Sequence, residues 1–143
     1  MTFSQQLTQF VVNHWALVGG FVLLFILLLL DEARSKGLGK QLEVHAAVAL
    51  MNREGAVVLD IRDLAAFDGG HIAGAHHIPS SDIDQNMSKI NPFKAAHLIV
   101  VCQRGQSAVA VAAKLSKQGF EKVQVLAGGM TAWQNASMPI KKK

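Results

Sequence analysis

The stretch HLIVVCQRGQSAVAVAAKL, residues 97–115, contains three features that together predict one unit of an α/β fold. It opens with a short apolar run that ends at Cys102, which is typical of a strand covered on both faces. Ser107, in the polar loop that follows, is the expected N-cap of a helix. Apolar residues then recur at the i, i+3, i+4 and i+7 spacing of that helix, namely Ala108, Val111, Ala112 and Leu115.

The same alternation continues on both sides of this unit. Residues 43–55 predict a helix, with apolar residues at helical spacing and Gly55 as its C-cap. The apolar run at residues 56–62 predicts a second strand, and residues 122–126 and 128–136 predict a last strand and a last helix. Strands that alternate with helices indicate an α/β fold with an open, mainly parallel sheet flanked by helices.

Cys102 is the only cysteine of the sequence, and its position after a strand makes it a candidate functional residue. In open α/β sheets, ligands bind beyond the carboxyl ends of the strands. The amides of the short loop and the positive end of the following helix favour an anion on the sulfur, and Arg104 adds a cation. The alternative is that Cys102 is simply a small buried hydrophobic residue. One cysteine cannot form an internal disulfide, which agrees with a reducing compartment.

Two phosphate chemistries agree poorly with this loop. A phosphate-binding P-loop needs a Gly-Lys pair followed by Ser or Thr, and the sequence contains no such triplet. A cysteine phosphatase needs an arginine at the far end of the loop, because a guanidinium grips phosphate oxygens with two parallel hydrogen bonds. That position is occupied by Ala108. The loop is also slightly shorter than a phosphate needs, so a single extra sulfur atom fits it better.

Two separated motifs resemble the rhodanese-like family. Residues 100–140 resemble the C-terminal half of a rhodanese domain, with its cysteine, loop, helix, strand and a GG…AW…P ending. Residues 58–79, VLDIRDLAAFDGGHIAGAHHIP, look like the other hallmark, Asp-x-Arg followed by Phe, Gly-His-Ile-x-Gly-Ala and Ile-Pro. The resemblance covers residues 42–140, with both motifs in the family's order. It implies a rhodanese-like fold and a single-domain sulfurtransferase.

The resemblance also implies a reaction. Cys102 would take a sulfane sulfur from a donor, such as thiosulfate or another persulfide, and pass it to a thiophilic acceptor such as cyanide or a protein thiol. The amides of the loop would hold the persulfide, that is, those of Gln103, Arg104, Gly105, Gln106 and Ser107. The lack of a second cysteine agrees with this, since a resolving thiol would discharge the persulfide as a disulfide. Many relatives carry a basic residue at the position of Gln106, so donor preference stays open, and Arg104 is the residue that could compensate.

Asp60, Arg62 and His71 fall within the earlier motif and are expected to support the site. The resemblance implies that Asp60 and Arg62 tie the strand end to neighbouring loops, and a catalytic role for them is the alternative. His71 matches a turn histidine of the motif. Together with His76 and His77 it suggests a metal site, but no carboxylate or thiol spacing supports one. No metal and no cofactor are therefore expected.

The N-terminal segment predicts a membrane span. Residues 10–30 carry no charge, and a helix of this length, at about 1.5 Å per residue, crosses a hydrocarbon layer of about 30 Å. Trp15 lies near one end, where amphipathic rings are found at headgroup level. One alternative is a cleaved signal peptide, but no basic residue precedes the run and no small-x-small site follows it. The other is a buried core helix, for which the run is too long and too uniformly apolar.

The flanks of this span predict its orientation. Basic residues follow the span closely and none precedes it, so the positive-inside rule places the C-terminal domain in the cytoplasm, at the inner (plasma) membrane. All 14 Lys and Arg and all 10 Asp and Glu lie beyond residue 30, so the net charge of +4 belongs to the part outside the membrane. The predicted segments are a short tail (1–9), a transmembrane helix (10–30), a linker (31–41), a rhodanese-like domain (42–140) and a solvated basic tail (141–143).

The sequence therefore predicts a single-pass, membrane-anchored sulfurtransferase that acts through a persulfide on Cys102. The alternative, from a different functional class, is a noncatalytic membrane-tethered rhodanese module that binds a protein partner, and the intact cysteine argues against it. The expected partners are a small sulfur donor, a thiophilic acceptor such as a protein thiol, and the membrane. No nucleic acid is expected.

Overall fold

The computed structural model of the protein describes residues 1–35 and 39–143, which form two compact units. The first unit consists of two helices, α1 (Phe3–Asn13) and α2 (Trp15–Ser35). They are separated at His14, which has φ −121° and ψ 32°, and whose Nδ1 donates a hydrogen bond to the carbonyl oxygen of Phe10 at 3.1 Å. The second unit contains a five-stranded sheet and the other described helices.

The sheet has the strand order β1-β5-β4-β2-β3, and every pair of neighbours is parallel. Its strands are β1 (Lys40–Leu42), β2 (Val57–Asp60), β3 (His76–His77), β4 (Leu98–Val101) and β5 (Val123–Leu126). The register places Asp60 beside Val101, so β2 and β4 end together at one edge of the sheet. This architecture confirms the predicted open, mainly parallel α/β sheet.

Helices cover both faces of this sheet. They are α3 (Val44–Glu54), α4 (Leu64–Gly69), α5 (Met87–Ile90), α6 (Gln106–Lys117) and α7 (Gly129–Asn135). The helices predicted over residues 43–55, after the loop of Cys102 and near the C-terminus are confirmed as α3, α6 and α7. Gly55 ends α3 in the left-handed conformation, with φ 62°, as a C-cap glycine does.

The predicted N-cap of α6 is wrong. Gly105 caps this helix, and Ser107 lies in its first turn. Gly105 has φ 88°, a left-handed value that a residue without Cβ adopts readily, so the chain reverses soon after Cys102 and the helix begins earlier than the serine signal indicates. The first helical turn therefore forms part of the loop around the sulfur.

Alternate residues of the central strands belong to two different apolar clusters. Val100 and Cys102 belong to the cluster that contains the buried face of α6, whereas Ile99 and Val101 belong to the one that contains residues of α3 and α7. All four residues of β4 are buried for this reason. Cys102 thus continues a core-facing row directly into the loop that follows.

Three predicted segment boundaries differ from the structure at the N-terminal side of the domain. The α2 helix begins at Trp15 instead of residue 10, and it continues through residue 35 because Glu, Ala and Arg in residues 31–35 are good helix formers. Residues 3–9 of the predicted tail belong to α1. The predicted linker 31–41 therefore overlaps α2 and also β1, which pairs with β5 from Lys40 onward, and its residues 36–38 lie outside the described residues.

The predicted basic tail, residues 141–143, forms main-chain hydrogen bonds with the rest of the domain that the sequence did not predict. The main chain of Lys141 forms an antiparallel bridge with His71, with N–O distances of 2.8 and 2.9 Å, and the amide of Lys143 donates to the carbonyl oxygen of Asp68 at 3.2 Å. The prediction of a freely solvated tail is therefore wrong for the main chain, although all three lysine side chains are exposed. Hydrophobic and charge patterns do not report such main-chain pairing.

Candidate active site

Cys102 lies directly after β4, at the edge of the sheet where the parallel strands end. Its side chain is only 3% exposed, and Sγ accepts a hydrogen bond from the amide of Gly105 at 3.0 Å. Because α6 starts directly after Gly105, the positive end of the helix dipole lies beside the sulfur. A sulfur in this position is held where negative charge is favoured.

The sequence predicts that several loop amides surround the sulfur, but in the structure one amide bonds to it. Among residues 1–35 and 39–143, Gly105 supplies the one N–H that bonds to Sγ. The side chains of Arg104, Gln106 and Ser107 are exposed and have no hydrogen-bond partner in the described part of the chain. Their amides belong to a turn and a first helical turn that leave N–H groups without intrahelical partners.

A cavity of about 340 Å³ opens beside the sulfur. Its polar lining consists of Arg62, Asp63, Ser80, Gln103 and Ser107, around Cys102. Ser80 follows β3, and Ser107 lies in the first turn of α6. The loop after β2 supplies Arg62 and Asp63, and the loop after β4 supplies Gln103. A small molecule can therefore reach a thiol whose own surface is almost entirely buried.

Asp60 and Arg62 form a buried two-point ion pair at the end of β2. Arg62 Nη2 donates to Asp60 Oδ2 at 2.7 Å, and Nε donates to Oδ1 at 3.0 Å. The same guanidinium donates to the carbonyl oxygen of Gly70 at 2.8 Å and to Oε1 of Gln103 at 3.3 Å. The pair therefore connects the loop after β2 with the residue that follows Cys102.

His71 and His77 bond to main-chain carbonyls. Nδ1 of His71 donates to the carbonyl oxygen of Phe67 at 2.8 Å, and its ring stacks on the Phe67 ring at 3.8 Å between centroids. Nε2 of His77 donates to the carbonyl oxygen of Arg62 at 2.7 Å. His76 is exposed and packs beside the ring of Phe93. His71 therefore holds α4, and His77 holds the loop after β2.

The first turn of α7 fixes the other side of the Cys102 loop, and the sequence predictions did not include it. Amides of Met130 and Thr131 donate to the carbonyl oxygens of Cys102 and Gln103 at 2.9 and 3.0 Å. The hydroxyl of Thr131 donates to the Gln103 carbonyl at 2.9 Å and accepts from Nε2 of Gln103 at 3.3 Å. A Gly-Gly pair before a helix signals a turn, but no sequence pattern reports that this turn packs on the thiol loop.

Comparison with known proteins identifies the class. The family described as "Rhodanese-like domain" matches residues 43–136. The thiosulfate sulfurtransferase GlpE of Pseudomonas putida (strain GB-1) is 39% identical over 95 residues, which is 66% of this chain and 84% of that protein. The chain therefore belongs to the rhodanese-like family, and it is a rhodanese-type sulfurtransferase.

Three further comparisons concern the whole chain and the fold. The protein YibN of Escherichia coli (strain K12) is 32% identical over 138 residues, 95% of this chain and 96% of that protein. A rhodanese-related protein from Thermoplasma volcanium superposes with a TM-score of 0.66 at 20% identity, over 73% of this chain and 99% of that one. A rhodanese-like domain from Anabaena superposes with a TM-score of 0.62 at 27% identity, over 72% and 79%. The sequence likeness to YibN thus includes the N-terminal segment.

Proposed function

We propose that the protein moves a sulfane sulfur from thiosulfate or a small persulfide to a thiophilic acceptor through a persulfide on Cys102. In the loading step the Cys102 thiolate attacks the outer sulfur of the donor, a new S–S bond forms, and sulfite or a thiolate leaves with the electrons of the broken S–S bond. In the unloading step the acceptor attacks the outer sulfur, and Cys102 leaves as a thiolate. No electrons are gained or lost overall.

The position of the Cys102 sulfur is the observation that carries this proposal. It lies beside the amide of Gly105 and the start of α6, and it faces a cavity that a small donor can enter. A hydrogen-bond donor and the positive end of a helix dipole both interact favourably with negative charge on the sulfur, and the thiolate is the nucleophile in sulfur exchange. The same groups favour the persulfide anion that loading produces.

The cysteine content of the sequence supports a stable persulfide. Cys102 is its single cysteine, so no thiol of the same chain can attack the outer sulfur. A second cysteine nearby would convert the persulfide into a disulfide and release the sulfur. The loaded protein therefore waits for an external acceptor, such as cyanide or the thiol of another protein.

We also propose that α2 anchors the protein in the inner (plasma) membrane, with the rhodanese domain in the cytoplasm. Within the described residues, Trp15–Glu32 is the helix that is long and apolar enough to span a bilayer, with a mean hydropathy of 2.1 and none of its residues buried. The likeness to YibN covers 95% of this chain and therefore includes this segment. Arg34, Lys36 and Lys40 follow the span and no basic side chain precedes it, which supports the cytoplasmic placement.

The test uses full-length protein purified in detergent. Incubation with thiosulfate and cyanide should produce thiocyanate, and intact mass after exposure to polysulfide should rise by one sulfur atom that a reductant removes. Cys102→Ser should show neither effect, while circular dichroism shows that its fold is kept. Thiocyanate formation by the serine variant would remove Cys102 from the mechanism. A wild-type protein that never acquires the adduct, but retains a specific protein partner, would instead favour the noncatalytic tethered module.

A further inference from the structure

We propose that Asp63 selects among sulfur donors by charge, so that small persulfides bearing an ammonium group load Cys102 faster than anionic donors do. This inference rests on the sulfur transfer proposed above and assigns it a donor class. Asp63 lines the same cavity as Cys102. It is the N-cap residue of α4, but its side chain forms no capping hydrogen bond.

Apart from the reacting Cys102 thiolate, the Asp63 carboxylate is the one uncompensated charge on the wall of this cavity, counted over the described residues that line it. The other charged residue of the lining, Arg62, is neutralised by Asp60 through the pair at 2.7 Å. The remaining lining residues are uncharged, namely Ile61, Ala66, Ser80, Gln103 and Ser107. No hydrogen bond or ion pair within residues 1–35 and 39–143 engages the Asp63 carboxylate. Its charge therefore acts on whatever enters the cavity.

This charge has opposite effects on the two kinds of donor. Thiosulfate is a dianion, and it must approach a carboxylate as well as the Cys102 thiolate. A persulfide with an ammonium group, such as the persulfide of a small aminothiol, is attracted by the same carboxylate. Arg104 acts in the opposite sense, but it lies outside the cavity lining, whereas Asp63 forms part of it. Both side chains are exposed, so water and salt screen both charges, and position on the cavity wall distinguishes Asp63 from Arg104. The wall of the cavity therefore favours the cationic donor.

The loading step is the same for both donors, but their leaving thiols differ in pKa and therefore in leaving rate. Each loading rate is therefore divided by the rate at which the same donor reacts with 2-mercaptoethanol in solution, so that the remaining variable is the effect of the cavity charge. The Cys102 thiolate attacks the outer sulfur of the persulfide, the new S–S bond forms, and the parent thiol of the donor leaves as its thiolate. Cysteamine persulfide and 3-mercaptopropionate persulfide have similar chain lengths and opposite end charges, so they form a matched pair. We expect cysteamine persulfide to load Cys102 about tenfold faster, a ratio that corresponds to about 1.4 kcal/mol.

The experiment measures loading of the full-length protein in detergent by intact mass, in single-turnover mixing with each donor. Asp63→Asn keeps a good N-cap residue and should bring the ratio of the two rates close to one, while raising the rate with thiosulfate. Glu121→Gln is the control, because it removes the same charge from the residues before β5, at the opposite edge of the sheet from Cys102. Its ratio should equal that of the wild type.

The outcomes separate this inference from the proposed function. A wild-type ratio near one, or an Asp63→Asn protein that keeps the wild-type ratio, overturns the role of Asp63 while leaving sulfur transfer intact. A protein that no donor loads overturns sulfur transfer itself. If Glu121→Gln and Asp63→Asn both lose the preference for cysteamine persulfide, the net charge of the protein sets the donor preference. That result would also overturn the role of Asp63.

Discussion

Asp60 and Arg62, two residues apart at the end of β2, form an ion pair that is almost fully withdrawn from water. Their side chains are 1% and 6% exposed, and two parallel N–H donors of the guanidinium meet the two carboxylate oxygens. Burial of two charges is costly, and close geometry with additional hydrogen bonds offsets the cost. The bonds from Arg62 to Gly70 and Gln103 supply those additional contacts, so the pair also fixes the loop beside Cys102.

The first prediction concerns the stability of this pair. Arg62→Ala should lower the free energy of unfolding by about 3–5 kcal/mol, because it leaves the Asp60 carboxylate buried without a partner. Urea unfolding in detergent measures this, followed by the fluorescence of the buried Trp133 in a Trp15→Phe background.

An exposed pair of the same kind provides the control. Lys114 and Asp84 are 2.5 Å apart, but their side chains are 46% and 64% exposed. Lys114→Ala should therefore cost only about 0–1 kcal/mol. Equal losses in Lys114→Ala and Arg62→Ala would show that burial does not govern the Asp60–Arg62 pair.

The second prediction concerns the close approach of α7 to the Cys102 loop. A Cβ on Gly129 would lie 2.2 Å from the carbonyl oxygen of Cys102, and the residue has φ 57°. Gly129→Ala should therefore displace the loop, destabilise the domain and reduce the rate of persulfide formation together. Single-turnover loading and urea unfolding measure the two effects.

Gly55→Ala separates backbone strain from the steric clash. Gly55 has φ 62°, but a Cβ there meets nothing within 4 Å. Its substitution should cost only the left-handed strain, about 1–2 kcal/mol, and should leave loading unchanged. A Gly129→Ala protein that matches Gly55→Ala in both measurements would contradict the proposed packing of α7 on the loop.

The sequence predicts those parts of the fold in which a continuous pattern matches a buried element. Residues 98–101 are apolar because both faces of β4 are covered, and the stripe of α6 follows from its one buried face. The strand order has no such signal, because pairing of consecutive strands accounts for β2–β3 and β4–β5 but not for β2–β4 or β1–β5. The short β1 is mostly exposed and polar, so its residues resemble a linker until β5 is seen beside them.

The same distinction applies to the site. Cys102 and its loop are contiguous in sequence, so position alone made the cysteine a candidate functional residue, whereas the sulfur-transfer chemistry came from the resemblance to the family. Asp63 and Thr131 lie near the thiol only because three strands end at one edge of the sheet. Gly105 shows a further limit. It caps a helix by its backbone conformation, and in the sequence such a glycine cannot be distinguished from a loop glycine.

The third prediction concerns Gln106, the first residue of α6. Gln106→Lys adds a cation at the mouth of the thiol loop, and it should raise kcat/KM for thiosulfate by about fivefold, the effect of about 1 kcal/mol of Coulomb attraction in water-like surroundings. The gain should shrink as salt is added, since the side chain is exposed. Thiocyanate formation at several salt concentrations measures both effects.

Gln118 gives a matched control at the other end of the same helix. It is the C-cap residue of α6 and is also exposed, so Gln118→Lys adds the same charge far from the loop. This variant should keep the wild-type kcat/KM. An equal gain in both lysine variants would indicate a general effect of net charge, and no gain in Gln106→Lys would show that this position does not influence the donor.

The fourth prediction concerns topology. In a Cys102→Ser background, a cysteine introduced by Thr2→Cys should react with a membrane-impermeant maleimide added to intact cells, because the residues before α2 are expected outside the cytoplasm. Lys143→Cys in the same background should react only after the cells are opened, because the basic residues that follow the proposed span predict a cytoplasmic domain. The reverse labelling pattern would place the rhodanese domain outside. Labelling of neither position in membranes, with the protein recovered in the soluble fraction, would remove α2 as an anchor.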